Sequence, residues 1–470
     1  MPSNTPKLTT REKIGYSLGD CAANFVFQTQ IMFLMGFYTD VLGISALAAG
    51  NIFLFSRLWD AFNDPMMGAL ADRTNTRWGK FRPWVLFTSV PFAVLFVLAY
   101  TAPDFDYSGR LIWAIITYNA LMMIYTANNI PYSALTGVMT GDMAERSSLV
   151  TWRFVLAMIA QFLVQTFTLV LVARLGRGNQ AAGFQLTMGL WAVIAVVLFI
   201  ITFLTTRERV APDPQQKSSI ARDIGDLFQN RNWIALAVAT VFVFICLSMR
   251  GGNTYYYFQY YVGDQTAFGQ AWKWQSIFGW FNGLGTAVTI VGVLLSKPLV
   301  MRFGKRDVFR TSLLLTAVCM SLFVFLPPSA VETMFALQML LQFIYGTTIP
   351  VLWAMMADVA DFSEWKRGRR ATAMTFAATV FALKLGLSIG GAISGWLLKY
   401  YGYAANVEQS ERALEGIRYM MSVFPASAFF IAVGVLLFYQ IDRHTEPEMQ
   451  DALADRRAQF TYLDPGETSV

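Results

Sequence analysis

Two carboxylates, Asp60 and Asp64, stand in an otherwise apolar stretch of this 470-residue chain. At i and i+4 they share one face of a helix, and Arg57 lies on the same stripe. Pro65 follows directly. It has no N–H, so the carbonyl of Ala61 loses its helical partner in the turn that carries both acids. Two carboxylates and a freed carbonyl, with Asn63 beside them, make a cluster of hard oxygens suited to Na⁺ or to a proton in its place. The competing explanation of the same residues is a structural salt bridge involving Arg57 and Asp60.

A second polar construction lies further on. Thr126, Asn128 and Asn129 precede Pro131, which frees the carbonyl of Ala127, and Tyr125 adds an aromatic face of the kind sugars stack on. That turn could complete a cation site or hydrogen-bond a sugar; a proline kink with satisfied polar packing is the plainer alternative. Asp20, Asn24 and Gln28 recur at steps of four as a polar stripe. Arg153, Arg250 and Lys384 are single charges in apolar stretches, each costly enough in a membrane to be a functional candidate. Lys384 needs an acidic partner, and the pair Asp60 and Asp64 is the plausible one. Arg250-Gly251-Gly252 reads as a helix break before Tyr255-Tyr256-Tyr257, a cluster assigned mostly to the interfacial aromatic belt. Gly386, Gly390, Gly391 and Gly395 have the small-xxx-small spacing of helix packing.

The elements that must position these residues follow from composition. Hydrophobic residues make up 55% of the chain and charged ones 14%, against about 25% charged in an average soluble domain. At roughly 20 residues per span, that is enough apolar chain for about a dozen membrane helices. They are expected at 14–38, 46–71, 83–101, 110–139, 149–174, 183–205, 232–262, 276–300, 308–327, 332–357, 371–399 and 418–440. The apolar stretch after Lys13 is too long for a signal-peptide core, so the first span is expected to be retained. Basic residues concentrate in alternate loops (Arg73, Arg77, Lys80 and Arg82 in one, Arg302, Lys305, Arg306 and Arg310 in another), which places both termini in the cytoplasm. The net charge of +6 has the same origin and does not point to nucleic acid. The three cysteines lack pairing or metal-ligand spacing, and the single histidine, His444, excludes multi-histidine membrane enzymes.

Arg77-Trp78-Gly79-Lys80 follows the second span and Arg302-Phe303-Gly304-Lys305 the eighth, 225 residues later. An aromatic-Gly-Lys turn at equivalent places argues for parallel repeats. The expected fold is an all-α membrane protein of twelve transmembrane helices in two pseudo-symmetric six-helix bundles, 1–205 and 232–440. A cytoplasmic middle loop (206–231) joins them, and a solvated cytoplasmic tail (441–470) follows. Within the middle loop, Ala211 to Gln216 reads as a linker, and Ile220, Ile224, Leu227 and Phe228 as a short amphipathic surface helix.

The block from Arg57-Leu58-Trp59-Asp60-Ala61-Phe62-Asn63-Asp64-Pro65 to Gly68, with Asp72-Arg73 and Arg77 to Trp84, resembles the glycoside–pentoside–hexuronide:cation symporters, the melibiose-permease-like branch of the major facilitator superfamily. Tyr125-Thr126, Asn129-Ile130-Pro131, Asp358 to Trp365 and Lys384 match further family blocks, and the similarity runs from about Arg11 to about Tyr439. The resemblance implies two bundles around a central cavity, alternating access, and coupling of sugar to Na⁺ or H⁺. It also implies that Asp60 and Asp64 bind the cation with help from Asn63 and Thr126, and that Tyr125, Arg153 and Lys384 lie at or near the sugar. Asp20, Asn24, Asn129, Arg250 and Trp353 complete the expected sugar contacts. Asn24 and Asn129 stand where melibiose carriers have sugar-binding aspartates, and Ser133 where a tryptophan is expected. This argues for a uronide or neutral pentoside over a galactoside, since arginine pairs bidentately with carboxylates.

The function expected is therefore import of a glycoside, pentoside or hexuronide, with Na⁺ ahead of H⁺ as the coupled ion. The setting is a bacterial inner membrane, the chain is a monomer, and the only cofactor-like species is the co-transported cation. An uncoupled facilitator, or a carrier of another small solute, is the alternative within transport. An intramembrane enzyme such as a prenyltransferase needs a second acid three residues after an Asn-Asp pair. Pro65-Met66-Met67 supplies none.

Overall fold

The computed structural model describes residues 8–140, 143–209, 228–367 and 372–461. Within helices, the side chains at 58, 61, 62, 65, 69, 72, 143, 144, 147, 367, 372–374, 376 and 454–461 are left out of the description. The linker at 211–216, nearly all of the expected surface helix after it, and the side chains of Ala61 and Pro65 thus lie outside the described residues.

In the first half the chain forms α1 (Thr10–Gly36), α2 (Ala46–Arg73), α3 (Arg82–Ala99), α4 (Tyr107–Met139), α5 (Met143–Gly176) and α6 (Gln180–Thr205). In the second come α7 (Arg231–Tyr256), a small hairpin of β1 (Gln265–Ala267) and β2 (Gln270–Trp272), α8 (Trp274–Phe303), α9 (Lys305–Leu322), α10 (Val331–Gly346), α11 (Thr348–Arg367), α12 (Thr372–Tyr400), α13 (Glu411–Met421), α14 (Val423–Val435) and α15 (Thr445–Thr461). Side chains start the helices where the sequence provides them. Thr9 and Glu12 form a reciprocal capping box on α1, and Asp106 accepts the Gly109 N–H at the start of α4. Ten helical stretches among the described residues are long and apolar enough to cross a membrane.

Ten of the twelve expected spans fall on these stretches; the first two fall on α1 and α2, helices of sufficient length that are not among the ten, and two of the twelve are interrupted. Residues 331–367 divide at Thr347, because Pro350 cannot donate to the carbonyl of Gly346. Residues 411–435 divide at Ser422, because Pro425 leaves the carbonyl of Met421 without a helical partner. Three other expectations are corrected. Arg250-Gly251-Gly252 is no break: α7 runs through it, and Gly251 lies against Ile31 of α1. Tyr255, Tyr256 and Tyr257 are wholly buried and not a belt. The tail is not merely solvated, because α15 docks on α11 through buried Met449 and Leu453. Asp442 starts that helix, accepting N–H groups of Thr445 (2.9 Å) and His444 (3.0 Å), which hold its carboxyl down at about 2.

The two halves repeat each other in detail. Both aromatic-Gly-Lys turns place their glycine at positive φ, +110° at Gly79 and +83° at Gly304, before the third helix of each half begins. In each half, chain just beyond the last membrane helix folds over that glycine. Glu208 accepts the N–H groups of Lys80, Phe81 and Arg82 in the first, and Arg443 packs on Gly304 in the second. The first helix of each half also ends in a π-helical turn, Phe37–Val41 and Tyr257–Val262.

The halves meet along α1–α7, α2–α12 and α5–α8. At the end far from the chain termini the join is polar. Buried Asp40 accepts hydrogen bonds from Thr39 (2.7 Å), Tyr260 (2.8 Å) and Tyr403, while Asn406 donates to its carbonyl at 2.6 Å. Tyr256 shares a 2.8 Å bond with Thr39, and Trp396 donates to Asn51 at 2.9 Å. At the termini end the ion pairs Lys13–Glu145, Arg209–Glu12, Lys305–Asp358 and Lys305–Glu446 each stay within one half.

Close backbone contact along α12 depends on the predicted small-residue stripe. A Cβ on Gly386 would stand 2.4 Å from the carbonyl oxygen of Val241, and one on Gly395 2.3 Å from that of Ala46. Gly386→Ala is therefore expected to lower the melting temperature of the purified protein by roughly 3 °C or more, since overpacking costs about 1–3 kcal/mol. Gly189→Ala, with no neighbour within 4 Å, serves as the control and should leave it unchanged or slightly raised.

Candidate functional site

Four charges from two helices meet in the interior. On α2, Arg57 lies 3.6 Å from Asp60 as an i,i+3 pair, both side chains nearly buried. One turn on, the Oδ2 of Asp64 takes the ammonium of Lys384, which projects from α12 of the other half. Thr126, buried on α4, donates its hydroxyl to the Oδ1 of Asp64 at 3.1 Å. The second carboxylate oxygen of Asp60 and the amide nitrogen of Asn63 are buried without a hydrogen-bond partner. An orphaned oxygen on a 2%-exposed carboxylate is costly unless something positive comes to it. Asp60, Asp64 and Thr126 thus come together as the sequence predicts, whereas for Asn63, one turn from Asp60, the orphaned atom is the donor nitrogen and no bond ties it to the other three. Asn128, on the other side of α4, is engaged elsewhere, donating to Thr88 at 2.8 Å.

A second ion pair joins α1 to α5. Arg153 meets Asp20 with two nitrogens, at 3.1 and 3.4 Å, and its guanidinium lies over the Tyr132 ring, 5.3 Å from the centroid. Tyr132 in turn stacks on Tyr16 at 4.6 Å. Asn24, half-buried, donates to the carbonyl of Asp20. Tyr125 packs between Phe27 and Phe92 at 6.4 and 5.9 Å. Asn129 on α4 and Trp353 on α11 are both half-buried.

Between the halves lies a cavity of about 270 Å³. Of the expected sugar contacts, Arg250 belongs to its wall, whereas Asp20, Asn24, Tyr125, Asn129, Arg153, Lys384 and Trp353 stand outside it. Arg250 donates to the carbonyl of Met421 at 2.8 Å and to Gln338 at 2.7 Å, and lies over Phe323. The carbonyl is the one Pro425 releases, so the break in the last span and the buried arginine satisfy each other. Among the described residues, the partners of Arg250 are a carbonyl, an amide and a ring.

Gln28 of the polar stripe on α1 also lines the cavity, but most of the remaining polar wall escaped sequence reasoning, which followed charge. That remainder includes Gln161, Gln165, Asn282, Thr286, Thr289 and Gln342. The available signal was neutral: Gln161 and Gln165 at i,i+4, and Asn282, Thr286 and Thr289 at i,i+4,i+7, each set on one face of an apolar helix.

Comparison with known proteins agrees with this architecture. The chain is 38% identical over 460 residues to the inner membrane symporter YicJ of Escherichia coli (strain K12), covering 97% of each. It is 34% identical to an isoprimeverose transporter of Lactiplantibacillus pentosus, covering 96% of this chain and 93% of that one. Its fold resembles the solved structure of a bacterial homologue of the human lysosomal transporter Spinster, in an inward-facing and occupied conformation. The TM-score is 0.65, with 13% identity over 91% of this chain and 95% of the other. The family model described as MFS/sugar transport protein matches residues 15–443, and the chain belongs to that family of major facilitator transporters.

Proposed function

We propose that this chain is a cation-coupled sugar symporter, importing a glycoside, pentoside or hexuronide across a bacterial inner membrane by alternating access. The observation that carries the reading is the bridge between the halves. Asp64 holds Lys384 of the other half, while its neighbour Asp60 keeps an unpartnered buried oxygen. A monovalent cation arriving between Asp60 and Asp64 competes with the Lys384 ammonium for the same carboxylate. Binding therefore changes what holds α2 to α12, which is the differential contact that coupling requires. Relatives named as a symporter and as an isoprimeverose transporter support the same reading. The bundles 1–205 and 232–440 rock about the shared sites, and one copy of the chain supplies every residue of them. With both termini cytoplasmic, the polar join at Asp40 lies at the outer face.

Na⁺ is the ion we assign. A proton needs one carboxylate, whereas Na⁺ wants several oxygens. Two carboxylates one turn apart, with the Thr126 hydroxyl on Asp64, support Na⁺, and Asn63 would add an amide oxygen. A second reading concerns the sugar. Arg250 has no acidic partner among the described residues, which favours a carboxylate-bearing sugar, a hexuronide, over a neutral one.

Counterflow and gradient-driven uptake of a sugar panel in proteoliposomes, with and without Na⁺, test the proposal. Asp60→Asn and Asp64→Asn should each abolish accumulation driven by the ion gradient while sugar exchange at equilibrium persists; native accumulation in either variant would sink the cation site. Uptake indifferent to Na⁺ between about pH 6 and 8, yet lost with a protonophore, would make H⁺ the ion. Removing one partner of a buried ion pair costs about 3–5 kcal/mol. Because the Lys384 and Asp64 side chains are 24% and 27% exposed, Lys384→Met should cost roughly 1–2 kcal/mol of stability. Adding Asp64→Asn should recover most of that in a double-mutant cycle, and additive losses would show that the pair does not interact. If the substrate is a hexuronide, Arg250→Gln should weaken its transport roughly tenfold or more. Normal transport of the best substrate by that variant, with that substrate uncharged, refutes the anionic reading.

A further inference from the structure

Gln30, on α1, is 6% exposed, and neither its amide oxygen nor its amide nitrogen has a hydrogen-bond partner. Leaving both ends of a buried amide unbonded is costly, and such a group calls for a partner from outside the chain. Gln30 faces a second cavity, of about 50 Å³, which adjoins the larger one and shares Ile31 and Leu387 with it. The polar part of its wall is Gln30, Arg57, Tyr118, Ser248, Ser388 and Ser394. A sugar does not fit, since ligand pockets run to roughly 300–1,000 Å³. A particle the size of a water molecule needs only about 10–15 Å³, and a chloride ion is little larger.

The wall dictates the sign of the charge. Arg57 lines this cavity, and among the described residues no carboxylate does. The three serine hydroxyls donate to backbone carbonyls, those of Leu387, Lys384 and Gly390. The donors left to face the cavity are the Gln30 amide and the guanidinium of Arg57. Asp60 answers the charge of Arg57 from 3.6 Å, which is beyond hydrogen-bond length. A compact anion, all acceptor and no donor, suits an arginine and an amide N–H. Charge balance gives that anion a role. Arg57, Asp60, Asp64 and Lys384 are together neutral, so a cation admitted at the two carboxylates leaves one positive charge uncompensated in the membrane interior, where charge is penalised. Once Asp60 is shared with the cation, Arg57 needs a second anion, and the cavity it lines has room for one.

We propose that the cavity at Gln30 and Arg57 binds a small monovalent inorganic anion, chloride in size and charge, and that filling it strengthens cation binding at Asp60 and Asp64. The proposal rests on the reading of those two acids as the cation site. Helices α1, α2 and α4 of one half and α7 and α12 of the other form the wall, so the anion bridges the halves as the cation does. Linkage makes the effect mutual: the factor by which chloride tightens Na⁺ is the factor by which Na⁺ tightens chloride.

The test is calorimetric titration of sodium gluconate into the full-length protein in nanodiscs, in potassium chloride and in potassium gluconate at equal ionic strength. The native protein should bind Na⁺ about tenfold more tightly in chloride, a coupling of ordinary size. Bromide should replace chloride, and the larger sulfate should not. Gln30→Leu should bind Na⁺ alike in both salts, close to the native value in gluconate. Gln30→Glu brings a carboxylate into the cavity in place of the anion. It should bind Na⁺ in gluconate about as tightly as the native protein does in chloride, a gain that a merely structural amide would not give. Melting temperatures confirm that the variants are folded and supply a readout that needs no Na⁺. Saturating choline chloride should raise the native melting temperature by about 2 °C over choline gluconate, and that of Gln30→Leu not at all. A native protein indifferent to chloride in both measurements overturns the proposal, as does a chloride effect that survives in Gln30→Leu or Gln30→Glu. If Na⁺ gives no binding in either salt while chloride still stabilises the native protein through Gln30, the Na⁺ assignment falls and the anion site stands.

Discussion

Arg57 and Asp60 are almost out of reach of water and Asp64 and Lys384 are about three-quarters covered, so the position of each depends on the others. Removing a charge from water is expensive, and an ion pair in the interior holds only if its partners are well placed. Arg57 and Asp60 belong to one helix and are satisfied locally. Asp64 finds its positive partner on a helix of the opposite half, some 320 residues away in sequence. That dependence explains much of the surrounding architecture. The glycines of α12 bring that helix into contact with α2 and α7, and Thr126 supplies the hydroxyl on the remaining oxygen of Asp64. Without close backbone approach along α12, the ammonium of Lys384 would not reach across.

The charged part of this arrangement was legible in the sequence because a membrane interior penalises charge so heavily. Asp60, Asp64, Arg153, Arg250 and Lys384 each stand out against apolar neighbours, and Lys384, a lone base in need of an acid, pointed to the pair on α2. The repeated aromatic-Gly-Lys turn was legible for a different reason, since a backbone at positive φ restricts the residue to glycine. What escaped notice carried no penalty to mark it. Glutamines and threonines are tolerable in an apolar helix when they bond to one another across helices. That mutual satisfaction is visible only once α1, α5 and α8 are assembled. The tyrosines after Gly252 have the composition of an interfacial belt, but they cover a carboxylate contributed by the other half of the chain.

Proline works in two ways that a span count does not reveal. In α4 it is accommodated within an unbroken helix. At Pro425 it ends a helix, and the carbonyl so released is taken by Arg250, 171 residues earlier. The break in the last span and the buried charge in the seventh look like separate irregularities in sequence; in space they are donor and acceptor. A similar economy governs the tail, whose helix starts on Asp442 and returns Glu446 to Lys305, next to the turn that begins α9.

The polar join at Asp40 has a thermodynamic consequence. Its members are a carboxylate, three tyrosine hydroxyls, a threonine and an asparagine, all of which water can hydrate at once when they separate. An exchanged hydrogen bond changes stability by only about 0.5–1.5 kcal/mol net, whereas an apolar seal of the same extent would lose about 25 cal/mol for every Å² exposed. A face closed by hydroxyls is thus shut tightly in geometry and loosely in free energy. Parting and reforming it are nearly reversible steps, so the work of a transport cycle can be governed by the ligands bound between the halves and not by the strength of the closure itself.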